Sequence, residues 1–286
     1  MARTRSVKVA AKEAAPDPTT SLDPPSTLQT FPSKATPTPR RLPKRVLPPA
    51  DDASTTTSPK PSKKRRQSSK YAAPSKYSHL TPLTDILEPN LICVFVGTNP
   101  GVQTATAGHA YAHPSNHFWK LLHSSGLTPR RLSPSEDRSL PAEYCMGNTN
   151  IVARPSKDAA ELSKEEIAAG TKILEEKFRR YRPEAVCIVG KGIWEGVWRW
   201  RYGRGFKKEE FAYGWQAERE NMGICGEAED GGAWAGARVF VATTTSGLAA
   251  SLKPAEKEAI WRPFGEWVQK RREERGFKPE SVVVGA

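Results

Sequence analysis

From residue 80 onward the chain alternates short apolar runs with stretches whose apolar residues recur every three or four positions. "LICVFV" (91–96) is continuously apolar, as expected for a strand covered on both faces. "AVCIVG" (185–190) and "ARVFVATT" (237–244) repeat that pattern, and "GNTNIV" (147–152) reads as a shorter strand. Between them the period changes. Residues 116–125 place Phe118, Leu121, Leu122 and Ser125 on one helical stripe. A second helix opens at "SKEE", where Ser163 and Glu166 form a capping box, and runs to Tyr181 with Ile167, Leu174, Phe178 and Tyr181 inward. "GIWEGVWRWRY" and "EKEAIWRPFGEWVQKRREER" predict two more helices. Strands separated by helices predict an α/β fold, a three-layer α/β/α sandwich on a short, mostly parallel central sheet. Ligands of such sheets bind at the carboxyl ends of the strands.

Residues 1–79 lack any such pattern. They hold 13 of the 25 prolines and sixteen Lys and Arg against five Asp and Glu, a net +11; the remaining 207 residues carry only +2. A segment this polar cannot offset its ordering entropy by burial, so it is expected to be a disordered basic tail. The globular domain is expected at 80–276, with a flexible end at 277–286. Within the tail, Lys63, Lys64, Arg65 and Arg66 form a dense cluster, read as a nuclear import signal, a nucleic-acid arm or a solubilising run. No apolar run approaches 18 residues, so no membrane helix is expected. The N-terminus lacks the apolar core of a secretory signal. Cys93, Cys145, Cys187 and Cys225 show no CxxC spacing and are read as buried, reduced thiols rather than metal ligands.

The candidate chemistry lies after the first strand, in "GTNPG" (97–101). Glycines there admit a close backbone approach, and Pro100 fixes the chain behind Asn99. The pattern is neither a dinucleotide fingerprint nor a P-loop. Tyr111 stands in a loop of small residues, either structural or exposed for stacking. After the last strand, "TTSGLAASL" sets Leu248 beside Gly247, as a packing staple or a wedge. His113 and His117 are read as structural hydrogen-bonders, and the run Trp194, Trp198 and Trp200 as core packing rather than base stacking.

Taken together, "GTNPGVQTATAGHAYAHPSNHFWKLLHSSGL", "GNTNIVARPSKDAAELSKEE", "RYRPEAVCIVGKGIWE" and "TTSGLAASL" resemble, in order, the mismatch-specific uracil and thymine DNA glycosylases. The resemblance covers about residues 80–270. It omits the tail and residues 215–237, which look like an extra surface loop. It implies that Asn99 orients the attacking water, that Tyr111 stacks on the flipped base, and that Thr98 and Asn150 contact the pyrimidine edge. Leu248, on the loop with Ser246 and Gly247, matches the wedge that fills the hole in the stack. Lys191, following "IVG", reads as a phosphate contact or as an exposed lysine at a helix N-terminus; Lys207 and Lys208 are weaker candidates of the same kind. Ala250 stands where bacterial members carry an Arg.

The implied function is a monofunctional glycosylase acting on uracil or thymine opposite guanine in duplex DNA, in the nucleus, as a monomer without metal or cofactor. A catalytically inactive DNA-binding scaffold on the same fold is the alternative. A nucleotide-binding enzyme is disfavoured by the missing phosphate Lys and ribose carboxylate. The terminal "SVVVGA" faintly resembles a SUMO-binding strand.

Overall fold

The computed structural model describes residues 70–226, 232–249 and 252–279, all within the compact unit Arg65–Ala286. Five strands form one sheet in the order β2-β1-β3-β5-β4. They are β1 (Cys93–Gly97), β2 (Met146–Asn150), β3 (Ala185–Val189), β4 (Gly214–Trp215) and β5 (Arg238–Ala242). The first three neighbouring pairs are parallel, and β4 pairs antiparallel to β5 at the edge. β1 and β3 are buried throughout, which is why both read as unbroken apolar runs.

Alternation along each strand sends side chains to two cores. Phe95, Cys187 and Phe240 face one side, with Phe118 of α2 (Phe118–Ser124), Tyr144 of α3 (Leu140–Tyr144), and Trp261 and Phe264 of α6 (Pro254–Glu274). Val94, Ile188 and Val241 face the other, with Leu174 and Phe178 of α4 (Lys164–Tyr181) and Trp194 of α5 (Lys191–Tyr202). The capping box at Ser163 and Glu166 is present. Pro263 lies inside α6 without ending it. There α6 presses on α2 so closely that a Cβ on Gly265 would fall 1.8 Å from the Ser125 carbonyl oxygen. Trp194 and Trp198 are core residues while Trp200 stands exposed on the polar side of α5, and Cys93, Cys187 and Cys225 are buried free thiols while Cys145 is only partly buried.

Two boundaries differ from expectation. The folded unit includes residues assigned above to the tail. The Ala72 N–H donates to the Glu161 carbonyl (3.1 Å), and a short 3-10 turn (Pro74–Tyr77) brings Lys76 Nζ and Tyr77 Oη onto the Glu161 carboxylate at 2.6 and 2.7 Å. Residues 215–237 are likewise more than a surface loop. Trp215 joins the sheet edge and packs on Phe240 and Trp267, while Met222 and Ala237 pair through their backbones and are fully buried. Buried Glu220 accepts from Arg201, and Glu175 accepts from Arg201 and the Gly223 N–H, stitching this segment to α4 and α5. Neither feature shows an apolar period: the first is held by polar anchors, the second by polar anchors together with single buried apolar residues such as Met222. Lys63, Lys64, Arg65, Arg66, Ala250 and the terminal "SVVVGA" lie outside the described residues.

Candidate active site

The carboxyl ends of β1, β2, β3 and β5 surround a cavity of about 540 Å³, lined by Gly97, Thr98, Asn99, Tyr111, Asn150 and Ser246–Leu248 among others. The loop after β1 contributes most. Its first residues form a short helix, α1 (Val102–Ala107), invisible in sequence because it has no apolar stripe.

Asn99 is oriented by its surroundings. Its Nδ2 donates to the Arg154 carbonyl at 3.0 Å and to Ser156 Oγ at 2.8 Å. The Ser156 hydroxyl spends its proton on the Asp158 carbonyl (2.8 Å), so its oxygen can only accept from Asn99. Both partners demand the NH₂ end of the carboxamide, which leaves Oδ1 as the free acceptor. Behind this loop the Arg154 guanidinium donates to the carbonyls of Ala72 and Glu161, both at 3.1 Å, and to the Glu166 carboxylate. The segment at 70–77 therefore braces the loop that holds Asn99. Neither Arg154 nor Ser156 was singled out from sequence, although both lie in the quoted "GNTNIVARPSKDAAELSKEE".

Tyr111 sits at φ 53°, a costly conformation for a bulky residue. Both backbone groups of the preceding residue are pinned. The Ala110 N–H donates to buried Asp137 (2.7 Å), and its carbonyl accepts from Trp119 Nε1 (3.1 Å). The Tyr111 ring lies flat on Phe118, centroids 3.8 Å apart. One face is thus covered by protein while the residue still lines the cavity. Burial pushes its phenol well above the usual range. Gly97 allows this crowding, since a Cβ there would come 2.5 Å from Asn150 Oδ1 and 3.1 Å from Tyr111 Oη. Among the described residues the Asn150 carboxamide has no hydrogen-bond partner.

Leu248 is 87% exposed on the rim, among the most exposed large apolar side chains described. The loop beneath it is fixed at three points. The Thr245 carbonyl accepts from the His117 N–H at 2.8 Å, and the Ala249 carbonyl accepts from buried Lys257 at 3.2 Å. Gly247 packs on Ser115, where a Cβ would lie 2.4 Å from the carbonyl oxygen. Ser246 Oγ accepts from the Leu248 N–H. His113 bonds Ser115, as its structural reading expected, and also lines the cavity.

The cationic candidates are placed apart. Lys191, Lys207 and Lys208 are exposed and do not line the cavity. Lys191 Nζ stands 4.4 Å over the ring of Phe211 and 5.3 Å over that of Phe206, which orients an otherwise mobile side chain.

A cavity at the strand ends, with one locked carboxamide, a stacking ring and an apolar rim residue, fits the resemblance noted from sequence. The profile of the uracil DNA glycosylase superfamily matches residues 84–265, most of the folded unit. The chain belongs to the uracil DNA glycosylase superfamily. It is 38% identical over 197 residues to a G/U mismatch-specific uracil DNA glycosylase of Schizosaccharomyces pombe (strain 972 / ATCC 24843). That match takes in 68% of this chain and 56% of the relative, so the chain spans a little over half the relative's length. A solution NMR structure from Methanosarcina acetivorans, described as a candidate uracil DNA glycosylase, is a distant likeness at TM-score 0.41 and 12% identity, over 66% of this chain and 98% of that one. In this chain the five-stranded, mostly parallel sheet carries the cavity on the loops at its carboxyl edge.

Proposed function

We propose that this superfamily member is a monofunctional DNA glycosylase that hydrolyses the N-glycosidic bond of uracil or thymine mispaired with guanine in duplex DNA, initiating base excision repair. The locked orientation of Asn99 carries the reading. Its free Oδ1 accepts from a water and points that water at deoxyribose C1′. As the bond to the base lengthens, the sugar acquires oxocarbenium character and the base leaves as an anion. An acceptor that fixes the water supplies positioning rather than strong base catalysis. Asp158 lines the cavity, but it is exposed and its Oδ1 is used to cap the Ala159–Glu161 turn, so turnover is expected to be slow.

The target nucleotide must leave the stack to reach C1′. Tyr111 offers its open face for the flipped base, and stacking of this kind contributes about 1–3 kcal/mol. Thr98 and Asn150 read the pyrimidine edge, and Leu248 fills the vacated space from the minor groove. Lys191, Lys207 and Lys208 contact phosphates. The partner is double-stranded DNA, the acting species a monomer, and the location the nucleus if Lys63–Arg66 acts as an import signal. The S. pombe relative's name and the family model support this reading.

The test is single-turnover incubation with duplexes bearing one G·U, G·T or A·T pair, followed by alkali and, separately, by borohydride. The expected result is alkali-labile sites in the order G·U above G·T, none at A·T, and no borohydride-trapped adduct. Binding without strand lability would overturn the reading. Thymine adds one methyl, which decides only a few kcal/mol at most. Asn150→Ala should therefore lower G·T cleavage by the larger factor, and equal losses on G·T and G·U would remove Asn150 from thymine recognition.

A further inference from the structure

We propose that Asn148 is a second base-reading residue, its carboxamide receiving the imide N3–H of the extruded uracil or thymine at the cavity floor. The inference rests on the glycosylase reading above and extends it to a residue with no assigned role. Asn148 lies two positions before Asn150 on β2, so both side chains leave the same face, about 6.6 Å apart along the strand. In register it stands opposite Phe95, on the side of the sheet that carries Tyr111. It lines the cavity with Asn150, Gly97 and Tyr111, and is more deeply buried than Asn150.

Asn148 is 2% exposed, and its Oδ1 is buried with no hydrogen-bond partner. Its carboxamide makes no hydrogen bond among the described residues. An orphaned amide of this depth is costly, and an apolar residue of the same size would avoid the cost. The backbone is tied on both sides: the Asn148 N–H donates to Ile86 O and its carbonyl accepts from Ile86 N–H, each at 2.8 Å. The strand therefore cannot shift to find the amide a partner. A ligand can. A flipped uracil or thymine presents one imide donor flanked by two carbonyls, so an acceptor at the floor meets N3–H, while Asn150 and the backbone at Thr98 serve a neighbouring carbonyl. The contrast with Asn99 is instructive: there the protein satisfies the amide's donor end, and here it satisfies neither end.

Asn148→Leu removes the amide and keeps its branched outline at a larger volume, which is why Asn148→Ser accompanies it. The expected outcome is a melting temperature raised by about 2–4 °C, together with single-turnover cleavage of G·U slowed about tenfold. On a duplex carrying N3-methyluracil, which has no N3–H, wild type should be slow and Asn148→Leu no slower, so the preference for uracil shrinks by the same factor. Asn148→Ser, which leaves room, should show the same loss of preference. A variant that cleaves G·U at the wild-type rate, or loses rate equally on both bases, overturns the proposal while leaving the glycosylase reading intact. A melting temperature lowered by Leu with uniform loss would assign Asn148 to the fold. Wild type inactive on G·U would instead overturn the underlying reading.

Discussion

At the scale of single residues, the site sets one fixed carboxamide among two free ones. Asn99 has its NH₂ held by the Arg154 carbonyl and Ser156 Oγ. Asn148 and Asn150 have no such anchors. A group that must aim a water benefits from being set before substrate arrives. Groups that recognise a base need partners only when the base is present. Asn99→Ala is expected to reduce single-turnover cleavage of G·U by about a hundredfold or more while duplex affinity stays near wild type. Ser156→Ala keeps Asn99 but removes one of its two close acceptors; it should slow cleavage about tenfold with a melting temperature within a degree or two of wild type. Gel-shift titration beside the kinetics checks both. A Ser156→Ala enzyme with unchanged rate would show that the Arg154 carbonyl alone orients Asn99.

At the scale of elements, the segment at 70–77 is a brace. Lys76 and Tyr77 hold the Glu161 carboxylate, and their hydrogen bonds, Lys76 first, bring its pKa down to about 2. A carboxyl depressed in the folded state stabilises it fully above the unfolded value near 4.5, and that stability is lost as pH falls through about 2. Glu161→Gln should thus melt below wild type at neutral pH, and the gap should close between pH 4.5 and 2. A gap independent of pH would mean the carboxylate's charge is immaterial. This brace also marks what the sequence could and could not reveal. β1, β3 and β5, and α4 with its capping box, were legible because burial imposes a period and caps have a spacing. Asn99, Tyr111 and Leu248 were visible as local oddities with two readings each, and only the resemblance of four motifs in order assigned them roles. Arg154, Ser156, Asp137 and Lys257 were not, since no residue type or spacing marks their contacts with Ala72, Asn99, Ala110 and Ala249. α1 carried no stripe, and β4 is two residues long.

At the scale of the whole molecule, charge and fold are divided between two parts of the chain. The first 79 residues carry +11, and the rest is nearly neutral. Removing residues 1–69 should leave the melting temperature and the single-turnover rate unchanged while flattening the salt dependence of non-specific DNA binding, because fewer counterions are released. Removing residues 1–78 takes the brace as well, and should lower both the melting temperature and the cleavage rate. Filter binding over a salt series, with calorimetry on both truncations, separates the two effects. An unchanged salt slope after the shorter deletion would show that the tail does not touch DNA.

The close packing of Gly247 on Ser115, with the backbone bond from His117 to Thr245, joins the rim bearing Leu248 to the loop bearing Tyr111. The two tools are therefore the jaws of a fixed-gauge calliper. On the proposed reading the spacing between wedge and stacking ring belongs to the protein, and the DNA must adapt to it.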